Sequence, residues 1–172
     1  MLKTELLTQG RSRPSKTHFI MSHTYSKIWM HYIWSTKNRE HIISKTLIPR
    51  LIGHFKEKYP KGVDIYVDTA NGVSDHFHLL VGQMPVMSAS KVANQIKGES
   101  SHWVNSHNFI PQKFAWQQGF GVFSVSHSQV QTVRSYILNQ QTHHQKISFE
   151  EEVRKFLKAN DIDFDIEKIR NG

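Results

Sequence analysis

The sequence predicts an α+β fold: a ferredoxin-like antiparallel sheet with helices packed on one face, plus a C-terminal helix that bears a tyrosine. Three observations lead there. Apolar and polar residues alternate with the period of a strand in 25–36, and again around Phe77, Leu79 and Val81. Asn71-Gly72, a strong hairpin signal, stands between two strand-like runs. Helical stripes separate the other runs, so the order is strand, helix, strand, strand, helix, strand, followed by two more helices.

In 25–36, Ile28, Met30, Tyr32 and Trp34 fall on one face of the first strand, and Trp29, His31 and Ile33 on the other. A polar, basic loop, Ser35 to Arg39, leaves it. Thr46 is placed to cap the first helix, Pro49 is tolerated in its first turn, and Leu47, Ile48, Leu51, Ile52, Phe55 and Tyr59 form its stripe before Pro60 ends it. Strands are expected over 63–69 and 74–82. Ser88 opens a second helix that buries Val92, Ile96 and Trp103, with Gly98 weakening its middle. A short strand over 120–125 leads to Ser126-His127-Ser128-Gln129, which has the form of a capping box, and to a helix carrying Val130, Val133, Tyr136, Ile137 and Gln140. Ser148 to Glu151 has the same form and opens a last helix with Val153, Phe156 and Leu157 inward. Residues 1–22 lack hydrophobic periodicity and read as a flexible basic leader, 23–160 as the domain, and 161–172 as a tail.

Composition narrows the function classes. Lys and Arg number 22 against 14 Asp and Glu, a net charge of +8, which favours polyanionic partners. Cysteine is absent, so neither a disulfide nor a thiolate ligand or nucleophile is available. No apolar run approaches membrane-spanning length and no secretory signal is visible, so a cytoplasmic protein without a membrane partner is expected.

Asp75-His76-Phe77-His78-Leu79-Leu80-Val81 carries the chemistry. Residues two apart on a strand face the same way, so His76 and His78 stand side by side. Two imidazoles in register are half of a metal site; the plainer alternative is two histidines on the wet face of a strand. Tyr136 and Gln140, four apart, share a helix face. A core tyrosine and a solvated glutamine are the plain reading of that pair. Together with the histidines they form a coherent set: His76, His78 and the Gln140 amide oxygen around one divalent ion, and the Tyr136 hydroxyl one helical turn away.

The histidine–apolar–histidine strand resembles the HUH motif of the single-tyrosine transposases of small bacterial insertion sequences, members of the HUH endonuclease superfamily, and of their relatives associated with repetitive extragenic palindromes. The likeness extends to Trp34-Ser35-Thr36-Lys37-Asn38-Arg39, to Lys97-Gly98-Glu99-Ser100-Ser101, to 116–126, and to Tyr136-Ile137-Leu138-Asn139-Gln140-Gln141-Thr142-His143-His144. It spans roughly 25–158; the leader has no counterpart and the tail only a loose one. The resemblance implies ATP-independent cleavage and rejoining of single-stranded DNA at hairpin-bearing ends. Tyr136 would be the catalytic nucleophile, forming a 5′-phosphotyrosine, and His76, His78 and Gln140 would hold Mg2+ or Mn2+. It also implies a homodimer in which the tyrosine helix can act in trans. Stem phosphates need cations, and Lys37, Arg39, Lys91, Lys97 and Arg134 are the expected DNA-binding residues. One helix end rarely brings two consecutive histidines to one ion, so His143 and His144 are expected as DNA contacts rather than as ligands. A non-catalytic, domesticated ferredoxin-like nucleic-acid-binding protein is the alternative, and it requires no convergence of these four side chains.

Overall fold

The computed structural model describes residues 25–163. The expected leader, 1–22, lies outside them, as does the tail from 164 onward. Four strands form one sheet in the order β2-β3-β1-β4, with every neighbouring pair antiparallel: β1 is Ile28–Ser35, β2 Ile65–Gly72, β3 His76–Gln83 and β4 Gly121–Val125. Helices α1 (Leu47–Lys58) and α2 (Ala89–Ser106) connect them as the sequence order requires, and α3 (Val130–Leu138), α4 (Gln140–His143) and α5 (Phe149–Ala159) follow. Among the described residues no helix is long and apolar enough to cross a membrane.

Alternation along β1 and β3 divides the sheet into two faces. Tyr32, Trp34, Phe77, Leu79 and Val81 point into the main core, where they meet Leu51 and Phe55 of α1 and Val92, Ala93 and Ile96 of α2. The second face is not open, as the sheet alone would leave it. Trp29 and Leu80 pack against Val130 and Ile137 of α3, while Ile33 and Phe123 pack against Phe149, Val153 and Phe156 of α5. His31, His76 and His78 lie on this second face and are therefore buried. Burial of β3 on both sides explains why its run of apolar residues is nearly continuous.

Several local expectations shift. The hairpin turn lies at 73–75, not at Asn71-Gly72, which stay in β2 and pair with His78 and Phe77. Gly72 is required there by close approach: a Cβ would lie 2.4 Å from the His76 carbonyl oxygen and from the Phe77 ring. Ser44, not Thr46, caps α1, its hydroxyl accepting from the Leu47 N–H at 3.1 Å. Ser126 makes no cap bond; residues 127–129 form a 3-10 turn that leads into α3. Ser148 and Glu151 do form their reciprocal box at the start of α5.

A bulge in β2 matters more. Val67 pairs with Val81 but Thr69 pairs with Leu80, so Asp68 is an extra residue. Each residue beyond it is turned to the opposite face. Asn71 consequently shares the face of its partner His78.

Three of the blocks that carry the family likeness interlock. The Trp116 indole N–H donates to Ser100 Oγ at 2.9 Å, Lys97 Nζ donates to the carbonyls of Gln118 (3.0 Å) and Gly119 (2.8 Å), and the Gln117 N–H donates to the Ser35 carbonyl at 3.0 Å. Lys97 is thus buried, with its charge directed at two backbone carbonyls. Its expected role as a surface contact for DNA phosphates is corrected accordingly.

Candidate functional site

His76 and His78 begin β3, and the chain fixes the orientation of both rings. The loop after β1 grips the backbone before β3: the Thr36 N–H donates to the Asp75 carbonyl at 2.7 Å and the Ile43 N–H to the Ser74 carbonyl at 2.9 Å. That grip sets Asp75 Oδ1 2.7 Å from His76 Nδ1. On the neighbouring strand His31 Nε2 lies 3.1 Å from His78 Nδ1. With each Nδ1 engaged, both Nε2 atoms face the space beneath α3–α5. A histidine ligand oriented by a hydrogen bond at its other nitrogen is the usual arrangement in metal sites.

Tyr136 and Gln140 come to the same space, although not on one uninterrupted helix. α3 ends at Leu138, Asn139 leaves helical geometry, and Gln140 opens α4. The junction is tied to the sheet by Asn71, whose Nδ2 donates to the Leu138 carbonyl at 2.9 Å. The Tyr136 ring centre is 6.0 Å from that of His78. Within this single chain, then, the four side chains singled out by the sequence converge.

Two residues join them unexpectedly. Glu152, on the inner face of α5, is 1% exposed. Its Oε1 accepts the Tyr136 hydroxyl and the Gln140 amide nitrogen, the latter at 3.3 Å. Its Oε2 lies 3.2 Å from His78 Nε2, 3.2 Å from His144 Nε2 and 3.7 Å from His76 Nε2. His144, just past α4, also places its Nε2 2.9 Å from His76 Nε2. His143 stands at the rim, 3.4 Å from the Tyr136 hydroxyl. A sign of Glu152 was available: 149, 152, 153 and 156 form one helical face, and a glutamate inside an apolar stripe marks a buried carboxylate.

The electrostatics follow from this packing. Burial lowers His31 to about 3, helped by His78, and lowers His76 to about 4 against the pull of Asp75. Burial opposes charge on Glu152 too, but the His144 and His78 imidazoles beside it outweigh that and hold the carboxyl below its ordinary value. Burial, then the hydrogen bond to Glu152, raises Tyr136 above the usual phenol range. The resting tyrosine is therefore a neutral phenol. His78 Nε2, Gln140 Oε1 and Glu152 Oε2 are buried without a hydrogen-bond partner. Buried donor atoms without partners, with His78 Nε2 and Glu152 Oε2 only 3.2 Å apart, are what a divalent cation satisfies, so the donor set fits a metal.

The expected DNA contacts are dispersed. Lys37 and Arg39 follow β1 at the histidine end of the sheet, and the Arg39 guanidinium lies 5.1 Å from the centre of the Phe149 ring, which itself packs 4.5 Å from His76. Arg134 is committed to Asp68 in a two-pronged pair at 2.6 and 2.7 Å. Lys91 is exposed on α2, beyond the opposite face of the sheet from Tyr136.

Residues 24–140 match the model of the family described as transposase, IS200-like. The chain belongs to this family. A comparison with curated proteins finds no match. Among solved structures, a candidate transposase from Deinococcus radiodurans R1 is 22% identical to this transposase and superposes with a TM-score of 0.52 over 78% of this chain and 98% of its own, a likeness of fold. A REP-associated tyrosine transposase bound to a REP hairpin is 14% identical, with a TM-score of 0.49 over 74% of each chain. The family match stops at Gln140, so His144 and Glu152 lie beyond it.

Proposed function

We propose that this transposase cleaves and rejoins single-stranded DNA at hairpin-bearing element ends through a covalent 5′-phosphotyrosine on Tyr136, with Mg2+ or Mn2+ at His76, His78 and Gln140. The observation that carries this reading is the convergence of a phenol, two oriented imidazoles and a buried unpaired amide oxygen in one chain. A binding module has no use for that arrangement.

The bound ion would act as a Lewis acid on a non-bridging phosphate oxygen. The side chains do the rest. Tyr136 Oη attacks phosphorus, the bond to the 3′ oxygen breaks, and that oxygen takes a proton from water to leave as a 3′-hydroxyl. Glu152 Oε1, which already accepts the phenol's hydrogen bond, is placed to take its proton. The covalent link conserves the phosphodiester, so rejoining requires no ATP. Lys37 and Arg39, at the histidine end of the sheet, are the cations best placed for DNA phosphates. Homodimer formation is part of this reading; exchange of the tyrosine helix is not needed to bring the four groups together.

The test is a labelled single-stranded hairpin oligonucleotide incubated with the protein and Mn2+ or Mg2+, then denatured. A protein–DNA adduct that survives denaturation is expected, and Tyr136→Phe should lose it. An adduct undiminished in Tyr136→Phe would remove Tyr136 as nucleophile. Cleavage with free products and no adduct would instead indicate hydrolysis by water.

A further inference from the structure

We propose that His144 and Glu152 are metal ligands in their own right, and that the resting protein holds its divalent ion in a site of three imidazoles and one carboxylate. This rests on the metal-dependent reading above and goes beyond it in the ligand set and in the class of ion preferred.

The geometry is that of a first coordination sphere. One donor atom from each of His76, His78, His144 and Glu152 falls within 4.8 Å of all the others. The contacts are 2.9 Å for His76 to His144, 3.2 Å for Glu152 to both His78 and His144, and 3.7 Å for Glu152 to His76. Neighbouring ligands of a tetrahedral ion bound at about 2.1 Å lie about 3.4 Å apart. The four groups come from β3, from the turn after α4 and from α5, so no local sequence preference explains their meeting.

Hydrogen bonding fixes which nitrogen is free on each ring. His76 Nδ1 faces the Asp75 carboxylate at 2.7 Å, and His144 Nδ1 faces the Ile147 carbonyl at 2.9 Å. Both partners are acceptors only, so both Nδ1 atoms carry protons and, in the neutral rings, both Nε2 atoms are bare. Two bare lone pairs 2.9 Å apart repel unless a cation or a proton lies between them. His78 Nε2 and Glu152 Oε2 are also buried and without hydrogen-bond partners. A single cation resolves all four atoms together; a proton on His144 resolves only its own contacts.

The donor set has consequences. Three imidazoles suit Mn2+, Co2+ or Zn2+ better than Mg2+, which prefers oxygen ligands and retains its waters. Glu152 has one oxygen for each task, with Oε2 toward the imidazoles and Oε1 toward Tyr136. The ion and the nucleophile are therefore joined through a single carboxylate on α5. Gln140 Oε1, buried and unpaired on a side chain whose Nε2 lies 3.3 Å from Glu152 Oε1, would be a further oxygen donor for the ion.

The experiment is calorimetric titration of the full chain with MnCl2 and with MgCl2, for the parent, Glu152→Gln, His144→Gln and His78→Gln. One Mn2+ per chain is expected, bound more tightly than Mg2+. Substituting even an outer residue of such sites costs 10–100-fold in affinity, so Glu152→Gln and His144→Gln should each weaken Mn2+ binding by about tenfold or more. If both bind Mn2+ as the parent does while His78→Gln does not, this proposal fails and the metal-dependent reading survives. If His78→Gln also binds normally, both fail. Should a variant not fold, the visible spectrum of the Co2+-loaded parent decides alone: intense tetrahedral bands support the site, and a weak six-coordinate spectrum overturns it.

Discussion

On the α1/α2 side of the sheet, Phe77, Leu79 and Val81 meet Leu51, Phe55, Val92 and Ile96 in an apolar core. One residue out of step along the same strand, His76 and His78 meet Glu152, His144 and Tyr136 under α3–α5. Both faces are buried, but they answer to different physics. The first is held by area and close packing, and the side chains named there carry no group that titrates or binds a metal. The second encloses four histidines and a carboxylate, leaves polar atoms unsatisfied, and is stable only as long as their charges are balanced. The strand period of two is what lets eight residues of β3 serve both.

The largest effect on stability should come from damage to the apolar face. Phe77 is fully buried and contacts the rings of Phe55 and Trp116. Phe77→Ala should cost about 3–5 kcal/mol in urea unfolding, the usual range for an emptied aromatic site. EDTA should not change that cost. A much smaller loss would mean that Gly72, which the Phe77 ring touches, lets the hairpin collapse into the space.

The apolar face was also the face legible from sequence. Its alternation in β1 and β3 and its stripes in α1 and α2 repeat at regular spacing, and they yielded the element order. The histidine pair was legible because strand geometry alone puts residues 76 and 78 together. The stripe of α5 marks Glu152 as buried, but that it and His144 meet the histidine pair was not legible, because nothing local connects α5 or the turn after α4 to β3. The shift of Asn71 onto the site face was illegible too, since it depends on the Asp68 bulge, and a bulge leaves no mark in an alternating pattern. Lys97 misled for the opposite reason: a lysine on a helix reads as surface unless the carbonyls that receive it are known.

The polar face should reveal itself through pH. Folding lowers His31 to about 3 and His76 to about 4 from the ordinary 6.5. Below 6.5 the unfolded chain takes up protons on these rings while the folded protein does not. Their contribution is therefore complete above pH 6.5 and is lost as pH falls toward 4. Each such proton is worth about 1.4 kcal/mol per pH unit within that window. His144 is raised above its ordinary value because Glu152 outweighs its burial, and it works in the opposite direction. Urea midpoints of the metal-free protein should fall on acidification from pH 6.5 to 5. His31→Asn should flatten the slope by about one proton, because burial and His78 outweigh the pull of Glu152 on His31, which packs against the rings of Tyr136 and Phe156. An unchanged slope would mean that His31 is not held neutral.

The smallest effect on stability, and the sharpest on function, is expected at the seam between the two faces. Asn71 reaches the site side only through the bulge, where its Nδ2 holds the Leu138 carbonyl and its Oδ1 accepts the Gly72 N–H at 2.9 Å. Leu138 lies between Tyr136 and Gln140, so this one side chain sets the helix break that aims both. Asn71→Ala leaves a carbonyl and an N–H short of a partner, at a cost of about 1–2 kcal/mol, which a folded domain tolerates. The Tyr136 hydroxyl, however, loses the anchor that keeps it on Glu152. Adduct formation in Asn71→Ala should therefore drop by far more than the urea midpoint implies. Mn2+ affinity should fall less than the adduct yield does, because His76 and His78 on β3 and Glu152 on α5 are held by other elements. If adduct yield and metal affinity fall together, the seam supports the whole site rather than the nucleophile alone.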